Sequence, residues 1–152
     1  MKIRKATSKD IEKINEIGLE GLFQEHALQN PKNKKKIKKG VNEDFEFHKR
    51  TIRKNLQDNK QCWIVVEEKG TIIGFGSTYI KKDRGIIESV YVAKEFQRKG
   101  YGMKIIKHLV SWLKSKKVKH IESNLLVKNT PSIKLHEKIG FKPYFLRVRL
   151  ER

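Results

Sequence analysis

Residues 88–102 constrain the fold of this chain more than any other stretch. Residues 86–92 are rich in β-branched side chains, which predicts a strand. Apolar side chains then recur at helical spacing, which predicts an amphipathic helix over about residues 102–115. Its apolar face comprises Ile105, Ile106, Leu109, Val110 and Leu113. The strand and the helix must therefore be joined by the short turn at residues 97–102.

This turn has the composition of an anion-binding loop. Gly100 and Gly102 let the backbone turn tightly and let an anion approach the amides. The first turn of the helix supplies free N–H groups and the positive end of the macrodipole, and Arg98 and Lys99 add charge. On spacing alone, two interpretations stay open: a pyrophosphate cradle and a ligand-free turn. The turn is not a Walker loop, because the pattern Gly-x-x-x-x-Gly-Lys-Ser/Thr is absent. It is not a dinucleotide-binding fingerprint either, because the third glycine is missing.

The segment resembles the acetyl-CoA-binding motif of the GNAT N-acetyltransferase superfamily. In that motif a strand is followed by Gln/Arg-x-x-Gly-x-Gly/Ala and a helix, and Gln97, Gly100 and Gly102 match its fixed positions. Asn129 and residues 132–141 (SIKLHEKIGF) are similar to the family's Asn…Ala-x-x-Leu-Tyr-x-Lys-x-Gly-Phe segment. Two motifs in the right order are more specific than either alone.

The resemblance implies an α/β fold with a mixed central sheet of about six strands flanked by about four helices. The length suits a single domain spanning residues 1–152. Strands joined by short turns imply an antiparallel meander, and the helical crossover implies a parallel pair. The other predicted elements are strands at residues 2–6, 62–67, 71–81, 120–127 and 143–150, a helix opened by a capping box at residues 7–10, and helices at residues 44–57 and 130–140.

The formal net charge of +19 favours polyanionic partners. Nucleic acid, ribosomes, acidic protein segments and coenzyme A all belong to this class, although the lysines are spread along the chain. Residues 31–40 are so rich in lysine that we expect a mobile loop, open to a nucleic-acid or acidic-substrate contact. Glu12, Glu16 and Glu20 form an acidic stripe that either holds a cationic amine or is a solvated helix face.

Several protein classes are excluded by composition. No run of eighteen apolar residues is present, so no membrane span is expected, and no apolar signal core follows the first residues. Cys62 is the single cysteine, so no internal disulfide is possible, and the histidines show no metal-ligand spacing. We expect a cytoplasmic protein without a metal, as a monomer or homodimer.

The resemblance also assigns a coenzyme site. Residues 98–103 would hold the pyrophosphate, and the backbone of Val90 and Val92 would pair with the pantetheine arm where their strand splays from its parallel neighbour. The amide of Val90 would polarise the thioester carbonyl, and Asn129 would contact the coenzyme near the splay. The predicted coenzyme-binding residues are Val90, Tyr91, Val92, Gln97, Arg98, Lys99, Gly100, Tyr101, Gly102, Met103 and Asn129.

Glu88 and His136 are the candidate catalytic residues. By strand alternation Glu88 lies on the same face as Ile86, Val90 and Val92, where desolvation would raise its pKa toward that of a useful base. An edge glutamate, an ion pair and deprotonation by water are the alternatives. His136 stands where the family has a tyrosine, and either donates a proton to the departing sulfur or packs within its helix.

Taken together, the resemblance implies an N-acetyltransferase. The acetyl group would pass from acetyl-CoA to a primary amine by direct transfer in a ternary complex. A protein amino terminus, a lysine side chain and a small amine all remain open as acceptors. The alternative is a catalytically weak GNAT-fold module that docks on RNA or acidic protein through its lysines.

Overall fold

The computed structural model describes residues 1–43 and 45–152, which fold around one mixed β-sheet. The strands follow one another in sequence order, with antiparallel pairs from β1 to β4 and a parallel β4–β5 pair. They are β1 (Lys2–Lys5), β2 (Gln61–Glu68), β3 (Thr71–Lys81), β4 (Arg84–Val92) and β5 (His120–Ser123). The helices are α1 (Ile11–Gln29), α2 (Lys34–Glu43), α3 (Phe45–Asn55), α4 (Tyr101–Ser115) and α5 (Thr130–Ile139).

Each face of the sheet carries its own core. The first contains the predicted apolar stripe of α4, packed on β2, β3 and β4 and flanked by α5; its most buried members are Ile64, Val66, Ile73, Ile105, Ile106, Leu109 and Leu113. The second lies under α1 and α3 and contains Ile11, Ile14, Ile17, Ile52, Trp63, Val65 and Phe75. The mixed α/β fold is therefore confirmed, with five strands in the described residues where about six were expected.

The start of α1 is fixed by a buried carboxylate. Asp10 is 5% exposed and accepts hydrogen bonds from both terminal nitrogens of Arg4, at 2.7 and 2.9 Å. It also accepts from the Thr7 amide at 2.7 Å, as the predicted capping box requires. The Arg4 guanidinium, helped by Thr7, lowers the pKa of Asp10 to about 2 although burial opposes this. Strand β1 and helix α1 are thereby joined by a charge-assisted network.

Helix α1 crosses the sheet at very close range. A Cβ atom on Gly21 would lie 2.1 Å from Cδ1 of Tyr91 on β4, and one on Gly18 would lie 3.1 Å from Cζ of Phe75 on β3. A side chain at Gly21 would therefore force the helix away from the sheet. Glycine lets the C-terminal half of α1 rest directly on β4.

Two sequence predictions about local structure are wrong. The expected mobile loop at residues 31–40 is a 3₁₀ turn (Pro31–Asn33) followed by α2. Its exposed lysines are spread around the helix, where water screens their repulsion, and Lys38 lies 5.7 Å from the ring centroid of Phe23. The expected strand at residues 143–150 has no regular structure.

Two further boundaries differ from expectation. β5 ends at Ser123 rather than at residue 127. The helix expected over residues 44–57 is α3, and residue 44 lies outside the described residues. Within the described residues, no helix combines the length and apolarity that a bilayer crossing requires.

Candidate active site

Strand β4 is paired on both sides along its first half and on one side along its second half. β5 pairs with Arg84–Ile87, from Arg84 opposite His120 to Ile87 opposite Ser123. Residues 124–126 then leave the sheet without regular structure. The β5-facing edge of residues 88–92 is therefore open, which agrees with the predicted splay.

The register with β3 decides which backbone groups face this open edge. Val90 lies opposite Gly76 and Val92 opposite Gly74, and the Ala93 amide donates to the carbonyl of Ile73 at 2.8 Å. Because bonded positions alternate along an antiparallel pair, residues 89, 91 and 93 bond to β3. The N–H and C=O groups of Val90 and Val92 consequently point toward the open edge. The backbone of Tyr91 is used by β3 and does not face it.

The turn that follows β4 presents free amides. Gly100 has φ +84° and caps α4, and the first helical bond is donated by the Lys104 amide to the Gly100 carbonyl at 3.3 Å. The amides of Tyr101, Gly102 and Met103 precede that bond and lack a helical acceptor. A Cβ atom on Gly100 would meet nothing within 4 Å, so there is open space before the turn.

The side chains around the turn have distinct roles. Gln97 donates through Nε2 to the carbonyl of Val92 at 2.9 Å, which closes the base of the turn. Arg98 (φ +64°) and Lys99 are exposed, and Lys99 Nζ lies 5.4 Å from the ring centroid of Phe96. Tyr101 turns away and donates its hydroxyl to Glu68 at 3.1 Å, so that its amide alone belongs to the turn.

Glu88 is the extra residue of a β-bulge. Ser77 pairs with Ser89 whereas Thr78 pairs with Ile87, so Glu88 has no partner on β3. The predicted shared face with Val90 and Val92 is therefore wrong, because these valines pack on the α4 side while the bulge shifts the alternation.

The Glu88 carboxylate lies toward the opposite, α1-covered face. Burial raises the pKa of Tyr79, and the negative charge of Glu88 raises that pKa further. The pKa of Tyr91 is raised mainly by burial, and the charge of Glu88 contributes to this shift as well. The side chain is exposed, yet the surrounding protein withdraws enough water to raise the pKa of Glu88 itself. Glu88 thus lies beside the open half of β4, with a shifted titration.

His136 is buried in α5. Its side chain is 3% exposed and packs edge-on to Phe141, with ring centroids 5.2 Å apart. Nδ1 lies 2.8 Å from the carbonyl oxygen of Ser132, so this nitrogen carries the hydrogen. Nε2 is buried and has no partner among the described residues. Burial lowers the pKa of the ring, which favours the neutral form with Nε2 as an acceptor.

Glu25 on α1 was not predicted from the sequence. Its Oε2 accepts from the Tyr91 hydroxyl at 3.0 Å and its Oε1 accepts from Asn129 Nδ2 at 3.4 Å. Burial raises the pKa of Glu25, although the Tyr91 hydrogen bond opposes this. A signal was present in Gly21, four residues earlier on the same helix face, because a glycine within a helix often marks a close approach.

The acidic stripe on α1 is largely neutralised by neighbours. Glu12 pairs with Lys49 at 2.7 Å and Glu16 with Lys13 at 2.8 Å, while Glu20 accepts from Gln24. A cavity of about 370 Å³ borders this stripe and the end of β4, and it adjoins Val92 without containing Glu88 or His136. Its charged lining residues are Lys13, Glu16, Glu20, Lys38, Lys94 and Glu95, which include both signs.

Comparisons with known proteins agree with this geometry. The profile of the Acetyltransferase (GNAT) family matches residues 20–141. Phosphinothricin N-acetyltransferase of Streptomyces viridochromogenes is 30% identical over 57% of this chain, a match that spans about half (49%) of that relative. The [ribosomal protein bS18]-alanine N-acetyltransferase of Escherichia coli K12 is 23% identical over 68% of this chain and 69% of its own length.

A solved structure shares the fold. The PaiA N-acetyltransferase from Thermoplasma acidophilum, crystallised in complex with coenzyme A, superposes with a TM-score of 0.79 at 19% identity. The alignment covers 93% of this chain and 89% of that one. Since the family profile also spans most of its length, this chain belongs to the GNAT family of acetyltransferases.

Proposed function

We propose that this protein transfers an acetyl group from acetyl-CoA to a primary amine, by direct attack within a ternary complex. The observation that carries the proposal is the open edge of β4, which leads directly into a turn of free amides. A slot with outward-facing backbone groups and an anion-binding end matches a long ligand with an acyl arm and a diphosphate.

The residues of the slot fit coenzyme A group by group. The amides of Tyr101, Gly102 and Met103, with Arg98 and Lys99 beside them, suit the pyrophosphate. Along the open edge, the outward backbone groups of Val90 and Val92 suit the amides of the pantetheine arm, although Gln97 already occupies one lone pair of the Val92 carbonyl. Asn129 lies on the opposite wall.

The coenzyme supplies an activated thioester. The acceptor ammonium first loses one proton to a base, and the resulting amine attacks. A C–N bond then forms to the acetyl carbon and the C–S bond breaks, while the nitrogen loses a second proton that the departing thiolate takes up. Because the Val90 N–H faces the open edge, we assign it to polarising the thioester carbonyl.

Glu88 is the proposed base. It is adjacent to the open half of β4, its raised pKa brings its proton affinity closer to that of an amine, and its exposure allows a water to relay the proton. His136 is less well suited to the second requirement, which is a proton for the departing sulfur. With Nδ1 donating to Ser132, a neutral ring offers Nε2 as an acceptor, so the acid role requires the imidazolium that burial disfavours. Its role as an acid stays a prediction.

The acceptor is a primary amine that belongs either to a small molecule or to a protein. The two relatives are named for different acceptors, the small molecule phosphinothricin and an alanine of a ribosomal protein. The mixed charge of the cavity beside Val92 selects neither. The alternative of an RNA- or protein-docking module is not favoured by the comparisons, which are with acetyltransferases.

The test is a turnover screen with acetyl-CoA. Free thiol release and the acetylated product would be measured against peptides with free amino termini, lysine peptides, ribosomal proteins and small amines. Matched acceptors with the amine already acetylated are the controls. We expect turnover with at least one free amine and none with its blocked counterpart. A protein that does not bind acetyl-CoA at all would overturn the proposal.

A further inference from the structure

We propose that Glu25 is a positioning residue that bridges the two walls of the slot beside β4 and sets the width of that slot. The slot is the opening between residues 88–92 of β4 and the chain that leaves β5 at Ser123. This inference relies on the proposed function for one point, that the occupant of the slot is coenzyme A.

The bridge stands where strand pairing is missing. Elsewhere in the sheet, neighbouring strands are held together by backbone hydrogen bonds, and these stop on the β5 side after Ile87. Beyond that point, the Glu25 carboxylate reaches both walls. It accepts from the Tyr91 hydroxyl on β4 at 3.0 Å and from Asn129 Nδ2 beyond β5 at 3.4 Å.

Two neighbouring hydrogen bonds connect the C-terminal end of α1 to both sides of the slot. Lys128 Nζ donates to the carbonyl of Gln29 at 3.2 Å, which ties the last turn of α1 to the wall beyond β5. Gln97 Nε2 lies 3.3 Å from Gln24 Oε1, which ties the same helix to the turn after β4. Glu25 lies between these two contacts, and its carboxylate hydrogen-bonds to a residue of each wall.

Both ends of the bridge are themselves fixed. The Tyr91 ring is held against Gly21, where no side chain would fit. Asn129 is oriented from its other side, because its Oδ1 accepts from the Ser132 amide at 3.4 Å as the cap of α5. With Oδ1 facing Ser132, Nδ2 must face Glu25. A carboxylate is suited to this place because it accepts on both oxygens.

The test compares Glu25→Ala with Glu25→Gln and Tyr91→Phe, measuring coenzyme A affinity by titration calorimetry. Alanine removes both hydrogen bonds, and we expect affinity to fall about tenfold. Glutamine still spans the slot, since its oxygen accepts from Asn129 and its nitrogen donates to the tyrosine oxygen, so affinity should stay within about threefold. Phenylalanine at Tyr91 breaks one arm and should give an intermediate loss. Glu46→Ala, at an exposed glutamate on α3, is the charge-matched control and should bind as the unchanged protein does.

A second readout does not depend on the coenzyme. Amide hydrogen exchange over residues 124–129 should be faster in Glu25→Ala than in the Glu46→Ala control, and unchanged in Glu25→Gln. Equal exchange in the alanine variant and its control would overturn the bridge whatever the occupant. Equal losses of affinity in the alanine and glutamine variants would also overturn it, because charge would then be the cause. If the unchanged protein does not bind coenzyme A, the proposed function fails while the exchange result still decides the bridge.

Discussion

The two halves of β4 have a similar content of β-branched residues but different pairing partners. In the first half, Arg84–Ile87 pairs with β3 on one side and β5 on the other, and Ile87 is 2% exposed. In the second half, residues 89–92 pair with β3 alone, Glu88 has no β3 partner, and all five residues are partly exposed or exposed. Both halves are rich in β-branched residues, so strand propensity does not distinguish them. The difference is the presence of β5 beside the first half only. The first half is therefore paired on both sides and stabilises the fold, whereas the second half leaves main-chain groups free for a ligand.

The bulge at Glu88 marks the boundary between the halves. It adds one residue between the pairs Ser77–Ser89 and Thr78–Ile87, and such insertions bend a strand and increase its twist. β5 ends opposite Ile87, where the bulge begins. Equivalent substitutions should therefore have different consequences on the two sides of Glu88.

Proline substitutions should separate the halves most strongly. Ile87→Pro removes a donor from a strand that is paired on both sides, and we expect loss of the folded state, a cost of more than about 3 kcal/mol. Val90→Pro removes a donor that faces the open edge, so the fold should persist while turnover falls about 100-fold. Circular dichroism melts and turnover assays measure the two effects. If Val90→Pro were unfolded or fully active, the division of the strand would be wrong.

A negative charge in the turn should strongly weaken coenzyme binding without unfolding the sheet. Gly102→Glu places a carboxylate beside the free amides of α4, and we expect the acetyl-CoA affinity to fall about 100-fold. Gly102→Lys is the control of similar length, and since a Cβ there lies 3.0 Å from Leu135 Cδ2, both variants carry the same steric cost. Equal affinities in the two variants would contradict an anion site at this turn.

Overpacking the paired half should reduce stability and leave the site intact. A Cβ atom on Gly85 would lie 2.4 Å from Cδ2 of Leu113 on α4. We expect Gly85→Ala to lower the free energy of unfolding by about 2 kcal/mol, measured by urea titration. Coenzyme affinity well below the melting temperature should be unchanged. An affinity loss as large as the stability loss would show that the halves are coupled.

Removing the proposed base should alter the pH dependence more than the binding. Glu88 must be ionised to accept a proton, so kcat/KM should decline as the pH falls through its raised pKa. Glu88→Gln should lower kcat by about tenfold or more, remove that acidic limb and keep the coenzyme affinity. A variant that retained the limb would exclude Glu88 as the base.

The sequence was informative where structure is decided locally. The strand, the turn and α4 follow from β-propensity, glycine placement and helical periodicity within one stretch. The prediction of a final strand over residues 143–150 was wrong, because a strand requires a neighbouring strand to pair with. Alternation alone does not supply one, and Tyr144, Leu146, Val148 and Leu150 are all exposed.

The errors at the candidate site have the same origin. A bulge depends on the partner strand, so the face of Glu88 was not visible in its own alternation. Glu25 contacts Tyr91 and Asn129, which lie 66 and 104 residues further along the chain. Contacts between residues so distant in sequence are determined by the topology of the fold. The glycine at position 21 was the local sequence signal for the contact between Glu25 and Tyr91.

The open edge of β4 also has a consequence for handling the protein. Unpaired N–H and C=O groups along an extended chain are a template on which another extended chain can dock. A ligand in the slot would occupy these groups, so we expect preparations lacking coenzyme to self-associate more readily during concentration and storage. The net charge of +19 opposes such association, and high salt, which screens that charge, should promote it.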